Sequence, residues 1–483
     1  MNKNYLTQVV WLVVLTVGLL VVLSLIPPID TFFTTKQIDI FSDLRTKSDT
    51  DLVEDESLDY TLDTITSMTP QAATTRPDTT VSLPDSIVRQ QIIKSVKRKE
   101  GDITLIEDYS TTQDGLHNFI SAIENRNRLQ RPVRIAFLGD SFIEADILTQ
   151  NIRMLLQDLF GGCGVGYMAM HSDFPGFRRS ITQVDKGWQT INVITQDPEY
   201  NLLSLPLQYH QAEGDAYTRF KGVNKLRHID SWDVSTIGFV AQDSAVISLK
   251  TDSSSYTYNI EGQKEAQFIT INEHTSSIEI RCNNNHVAMW GSWLDGNSGI
   301  AVDNISMRGY SGTSLEMIPV TRLQELYDAI PYDLIVLQYG LNRMTPSITD
   351  YSPYTQQLAD AVAHLRKALP HTDILIMGIG DRCQTDNGEI KTMPAIYGMR
   401  KAQRLAAIEA QCLFWDCYEA MKQIGGMPTF VENKWASKDY THISHQGGAP
   451  LAEEFVKAIN HALNNHSQPT MSQPNDTIAN LYE

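Results

Sequence analysis

The chain is predicted to be an α/β protein, a parallel sheet with helices on both faces, interrupted once by a block of antiparallel strands. Short apolar runs at residues 133–138, 300–307, 334–337, 374–379 and 413–416 read as buried strands. Amphipathic stretches such as 354–369 and 397–411 separate most of them, which is the alternation that builds a parallel sheet. From 180 to 296 the pattern changes to short strands with turn residues and no helices between them.

The elements follow in order. Leu116, Phe119, Ile120 and Ile123 fall at i, i+3, i+4 and i+7, the stripe of an amphipathic helix. Residues 133–138 (V-R-I-A-F-L) run as a strand straight into Gly139-Asp140-Ser141. Ile143, Ile147, Leu148, Ile152, Leu155 and Leu159 then recur at helical spacing up to Gly161-Gly162. Ser141 therefore sits on a tight turn between a strand end and a helix start. In the interruption, strands are predicted at 236–240, 245–250, 256–260, 267–271 and 277–282, divided by turns such as Asp252-Ser253 and Glu261-Gly262. They are expected to form a small antiparallel β-sandwich that folds as its own unit. The predicted organisation is an anchor at 1–28, a linker at 29–95, the α/β domain at 96–179 and 297–465, the insert at 180–296 and a loose tail at 466–483.

At 483 residues the chain exceeds one ordinary domain, and its 42% hydrophobic and 20% charged shares are those of a globular protein. A formal net charge of −18 argues against a nucleic-acid partner, which requires a basic surface. Five cysteines are too few for a disulfide scaffold and lack zinc-site spacing. Cys412 and Cys417 are close enough in sequence to be bridged, and their pairing stays open. Residues 9–26 are uncharged, and apolar except for Thr16, Gly18 and Ser24, and roughly 18–20 such residues cross a bilayer as a helix. Lacking an A-x-A cleavage pattern before Pro27-Pro28, the stretch is expected to be an uncleaved membrane anchor. With Lys3 on the inner side, the remainder lies across the membrane. The next segment carries Asp49, Asp51, Glu54, Asp55, Glu56, Asp59 and Asp63 with almost no opposing charge, as expected of a solvated spacer.

A serine at the end of the first strand faces the crevice of an open α/β sheet, where ligands bind. Its own N–H, at a helix start, can stabilise negative charge. Gly309 follows the next core strand, and its N–H can approach a ligand closely. Asn342, in Gly340-Leu341-Asn342, follows the strand at 334–337 and brings an amide to the same rim. Asp439-Tyr440-Thr441-His442 puts a carboxylate three residues before an imidazole, so that Asp439 can hold the ring while His442 acts as general base on Ser141. His445 competes for that role. Trp290 and Trp293 in the insert are candidate glycan contacts, although tryptophans in a small sandwich are more often core, and Arg343 beside Asn342 is a further candidate.

Together these four segments resemble the blocks of the SGNH/GDSL esterase family: Gly139-Asp140-Ser141, Gly309, Gly340-x-Asn342 and Asp439-x-x-His442. The resemblance implies a flavodoxin-like doubly wound sheet with a Ser141–His442–Asp439 triad. It also implies an oxyanion hole made by the Ser141 and Gly309 N–H groups and the Asn342 amide, with no metal or other cofactor. The long spacing from Ser141 to Gly309, filled by a β-rich insert, is similar to the bacterial peptidoglycan O-acetylesterase branch with its carbohydrate-binding-like module. Phe142 and Arg343 depart from the family's usual leucine and aspartate. The expected function is an anchored, periplasmic or extracytoplasmic serine esterase acting on O-acetyl groups of a cell-envelope glycan. The alternatives are an O-acetyltransferase partnered by a membrane acyltransferase, or a non-catalytic glycan-binding subunit.

Overall fold

The computed structural model describes residues 103–465, apart from 195–197 and 387. The expected anchor, linker and tail lie outside these residues. Among the described residues, no helix is long and apolar enough to cross a membrane.

The described residues open with β1 (Ile106–Asp108), α1 (His117–Asn125), β2 (Val133–Gly139) and α2 (Thr149–Phe160). Among the described residues, strands then follow with only two 3-10 turns (Pro175–Phe177 and Tyr200–Leu202) between them: β3 (Gly164–Met168), β4 (Ile181–Asn192), β5 (Gln208–Gly222), β6 (Trp232–Ala241), β7 (Ala245–Thr251), β8 (Ser255–Ile260), β9 (Gln267–Thr275), β10 (Ser277–Cys282) and β11 (Val287–Asp295). The α/β pattern resumes with β12 (Ile300–Ser306), α3 (Val320–Ala329), β13 (Leu334–Gln338), α4 (Ser352–Ala368) and β14 (Asp373–Met377). A hairpin, β15 (Cys383–Asp386) and β16 (Glu389–Thr392), precedes α5 (Ala395–Glu409) and β17 (Leu413–Trp415). Three helices end the described residues: α6 (Cys417–Gln423), α7 (Gly426–Glu432) and α8 (His445–Asn465).

The main sheet runs β12-β2-β13-β14-β17-β1. Its first five strands are parallel, and β1 adds an antiparallel edge. Numbered along the chain, the parallel strands stand in the order 2-1-3-4-5, the flavodoxin-like arrangement. Side chains alternate across a strand, so an entirely buried strand must feed two cores. β2 does this: Ala136 and Leu138 join one cluster, with Leu323 of α3, Leu358 of α4 and Met399 of α5. Val133, Ile135 and Phe137 join the other, with Phe119 of α1, Ile152 of α2 and Phe455 of α8. Arg134, within this strand, is buried only because Asp295 (2.6 Å) and Asp303 (3.0 Å) neutralise it.

The antiparallel strands differ from the sequence expectation in two ways. First, they form one connected network instead of two separate sheets. β8-β7-β10-β5 and β11-β6-β9 are joined where Met289 of β11 pairs with His210 of β5, and β4 and β3 attach to β5 and β11. β3, upstream of residue 180, is thus already part of it. The chain leaves and re-enters the α/β domain at one place, since the Ile300 N–H donates to the Gly161 carbonyl (2.9 Å) and the Gly296 N–H to the Cys163 carbonyl (2.9 Å). Gly162 and Gly299 make that crossing feasible: both have positive φ (109° and 77°), and a Cβ on either would strike the opposite backbone.

Second, the insert does not keep its core to itself. Phe220, Phe239, Ile247 and Ile280 pack within the network. Leu203, Leu205, Trp290 and Trp293, however, belong to the cluster that holds α3, α4 and α5. The five cysteines are free thiols.

Candidate active site

The parallel register sets the site. Gly139 at the end of β2 lies level with Ser306 of β12 and Gln338 of β13. The loops leaving these three neighbouring strands carry Ser141, Gly309 and Asn342 respectively. Their convergence is therefore a consequence of strand order at the switch point of the sheet. The fourth segment comes from a loop before α8. A β-bridge between Ala436 and Ile443 pinches off residues 437–442, and the Cys383 N–H bonds the Tyr440 carbonyl (3.0 Å), fixing the loop beside the hairpin.

The three predicted triad residues meet. Ser141 Oγ lies 3.4 Å from His442 Nε2, and His442 Nδ1 lies 2.7 Å from Asp439 Oδ2. The carboxylate partner fixes the tautomer: Nδ1 carries the proton and Nε2 is left to accept from Ser141. The serine contact is long for a formed hydrogen bond, as such pairs are before substrate draws them together. Burial pushes the Asp439 carboxyl up. Bonds from the His442 ring, the Ser437 hydroxyl and the N–H groups of His442 and Thr441 outweigh this and hold it at about 2. Asp439 thus stays ionised while orienting the ring. His445 is excluded as the base because its Nε2 meets the Ala145 carbonyl at 3.1 Å and its ring is buried.

The donors are arranged unequally. Among the described residues, the N–H groups of Ser141 and Gly309 donate to no other backbone group. Gly309 adopts φ 78°, and a Cβ there would meet open space, so its amide stands on an exposed turn. Asn342 Nδ2 instead donates to the Tyr310 carbonyl (2.9 Å) and to Asp140 Oδ2 (3.3 Å). Serving an oxyanion requires it to give up the longer bond. Gly340 begins the turn that carries Asn342, and Arg343 is exposed on the same turn.

Asp140 does more than support the motif. It is fully buried, accepts from the Phe142 N–H (2.9 Å) and reaches Asn342, tying the nucleophile turn to the third donor. Burial pushes its carboxyl up to about 7, against the Phe142 N–H bond and the His442 ring.

Trp290 and Trp293 are not glycan contacts. Both are fully buried, with indole N–H groups held by the Leu202 carbonyl (2.7 Å) and by Asp303 (3.0 Å). They seal the insert against the α/β domain. A residue with no sequence signal, Asp146, anchors the turn after Ser141. Fully buried, it binds Arg153 (2.8 Å), Arg178 (2.9 Å), Ser180 (2.5 Å) and Thr149 (2.5 Å). Ala145 and Asp146 adopt φ 53° and 66°, a strained pair of non-glycine residues that this network holds in place. Among the described residues, no cluster of His, Cys, Asp and Glu could hold a metal ion.

No protein-family profile matches the chain, and no curated protein matches it in sequence. Among solved structures it matches a peptidoglycan O-acetylesterase with a TM-score of 0.62 and 20% identity, over 74% of this chain and 99% of that one. The chain shares that esterase's fold. Matches to a family two carbohydrate esterase from Cellvibrio japonicus (TM-score 0.27, 9% identity, 59% of this chain and 98% of that one) and to an acetyl xylan esterase (0.26, 15%, 33% and 80%) are far weaker.

Proposed function

We propose that the protein is a serine esterase that removes O-acetyl groups from a cell-envelope glycan, with peptidoglycan as the polymer. The observation that carries this reading is the Ser141–His442–Asp439 alignment lying beside donors from three neighbouring strand ends. The fold shared with a peptidoglycan O-acetylesterase supports the choice of substrate. His442 Nε2 takes the Ser141 proton as Oγ attacks the acetyl carbonyl carbon. The Ser141 and Gly309 N–H groups, joined by the Asn342 amide, stabilise the oxyanion. The tetrahedral adduct expels the sugar oxygen, which takes the proton from His442. Water then repeats the sequence, releasing acetate and free Ser141.

In the same reading, residues 9–26 anchor the chain in the inner membrane, and the acidic segment lets the catalytic domain reach glycan outside it. A chain shortened to begin near Asp85 should then leave the membrane fraction without detergent. The chemistry is tested with a fluorophosphonate probe on the full chain. Labelling should map to Ser141 and fall sharply in His442→Ala. Labelling elsewhere, or none, would reject the nucleophile.

A further inference from the structure

We propose that Phe174 and Phe177 form a stacking platform for a sugar ring of the glycan, next to the ring that carries the reacting ester; this rests on the esterase reading. The segment joining β3 to β4 presents both rings to solvent, Phe174 at 59% and Phe177 at 41% exposure. Single exposed apolar side chains are ordinary, but these two lie on one rigid turn. Pro175 fixes its own φ, the Phe177 N–H closes the turn on the Phe174 carbonyl (3.0 Å), and Arg178 pins its end. Arg178 binds the buried Asp146 (2.9 Å) and the carbonyls of Tyr167 and Val165 (3.2 Å each). The turn is therefore tied to the same residue that shapes the loop after Ser141.

Position and chemistry agree. The Arg308 guanidinium, one residue before Gly309, lies 5.3 Å from the Phe174 ring centre and pairs with Glu144 (2.7 Å), three residues after Ser141. Phe177 meets the His445 ring edge-on at 5.4 Å, on the helix that follows His442. The platform thus touches neighbours of both an oxyanion donor and the general base. A pyranose offers a face of C–H groups, which suits the electron-rich face of an aromatic ring, and an edge of hydroxyls. Arg308 and Glu144 supply charged donors and acceptors beside the rings for that edge.

The test uses the full chain with O-acetylated peptidoglycan and a small aryl acetate. Phe174→Ala/Phe177→Ala should raise KM on the glycan by about tenfold or more, the scale of losing an aromatic anchor. Hydrolysis of the aryl acetate should stay within about twofold, and Phe174→Tyr should retain the glycan KM. An unchanged glycan KM in the double variant would overturn the platform, as would equal losses on both substrates. Binding to insoluble peptidoglycan in a Ser141→Ala background separates this from the esterase reading. Retention should fall when both phenylalanines are removed, and undiminished retention refutes the platform whatever the outcome for catalysis.

Discussion

Asp140 and Asn342 meet at 3.3 Å, a carboxylate from the nucleophile turn holding the side-chain amide that follows the neighbouring strand. In the free protein this contact ties the nucleophile turn to the third donor, and the amide must release Asp140 to meet an oxyanion. The bond to the Tyr310 carbonyl (2.9 Å) can persist through that exchange and keeps the donor where charge develops.

Asn342→Ala should lower kcat by about 10²–10³ with little change in KM, the signature of a group that acts in the transition state. Steady-state kinetics on an aryl acetate measure it. A rise in KM alone would make Asn342 a ground-state contact.

The Asp140 carboxyl, raised to about 7 in the fold by burial, titrates near 3.9 in an unfolded chain. Between those values the folded protein keeps a proton that the unfolded chain has released. Its contribution to stability is therefore full at low pH and is lost as pH rises toward 7. Asp140→Asn should gain stability relative to the parent between pH 5 and 8 (about the span of that titration). Urea denaturation at both pH values measures this, and a constant difference would contradict it.

Asp146 neutralises two buried or nearly buried guanidinium groups, Arg153 and Arg178, at 2.8 and 2.9 Å. Asp146→Ala leaves both without that partner and should cost about 3–5 kcal/mol in denaturant unfolding. A loss below about 1 kcal/mol, the worth of a surface pair, would mean that solvent reaches this site.

The insert should not be removable. Replacing residues 180–296 by a short linker strips Trp290, Trp293 and Leu203 from the core that also buries α3, α4 and α5. The shortened chain should be insoluble or lose its cooperative thermal transition. A soluble product that still hydrolyses aryl acetate would show that the α/β core is self-sufficient.

The β2 strand and the turn after it were legible in sequence because a strand covered on both faces is apolar at nearly every position. Asp439 and His442 were legible because their chemistry is local, three residues apart in one loop. β4 and β5 were not: their one-sided burial leaves polar residues along strands such as Q-Y-H-Q-A-E-G-D. That Trp290 and Trp293 join the core shared with α3, α4 and α5 was hidden, because composition does not say whether a strand packs within its own unit or against a second domain. The Asp146 network was hidden too, since its partners come from α2 and from the segment before β4 and meet only in three dimensions.

Acetate release from O-acetylated peptidoglycan by the full chain, set against its Ser141→Ala variant, decides whether Ser141 is the nucleophile of a glycan esterase. The parent should release acetate steadily and the folded variant only at background. Equal release by both, or none by the parent, would contradict that role.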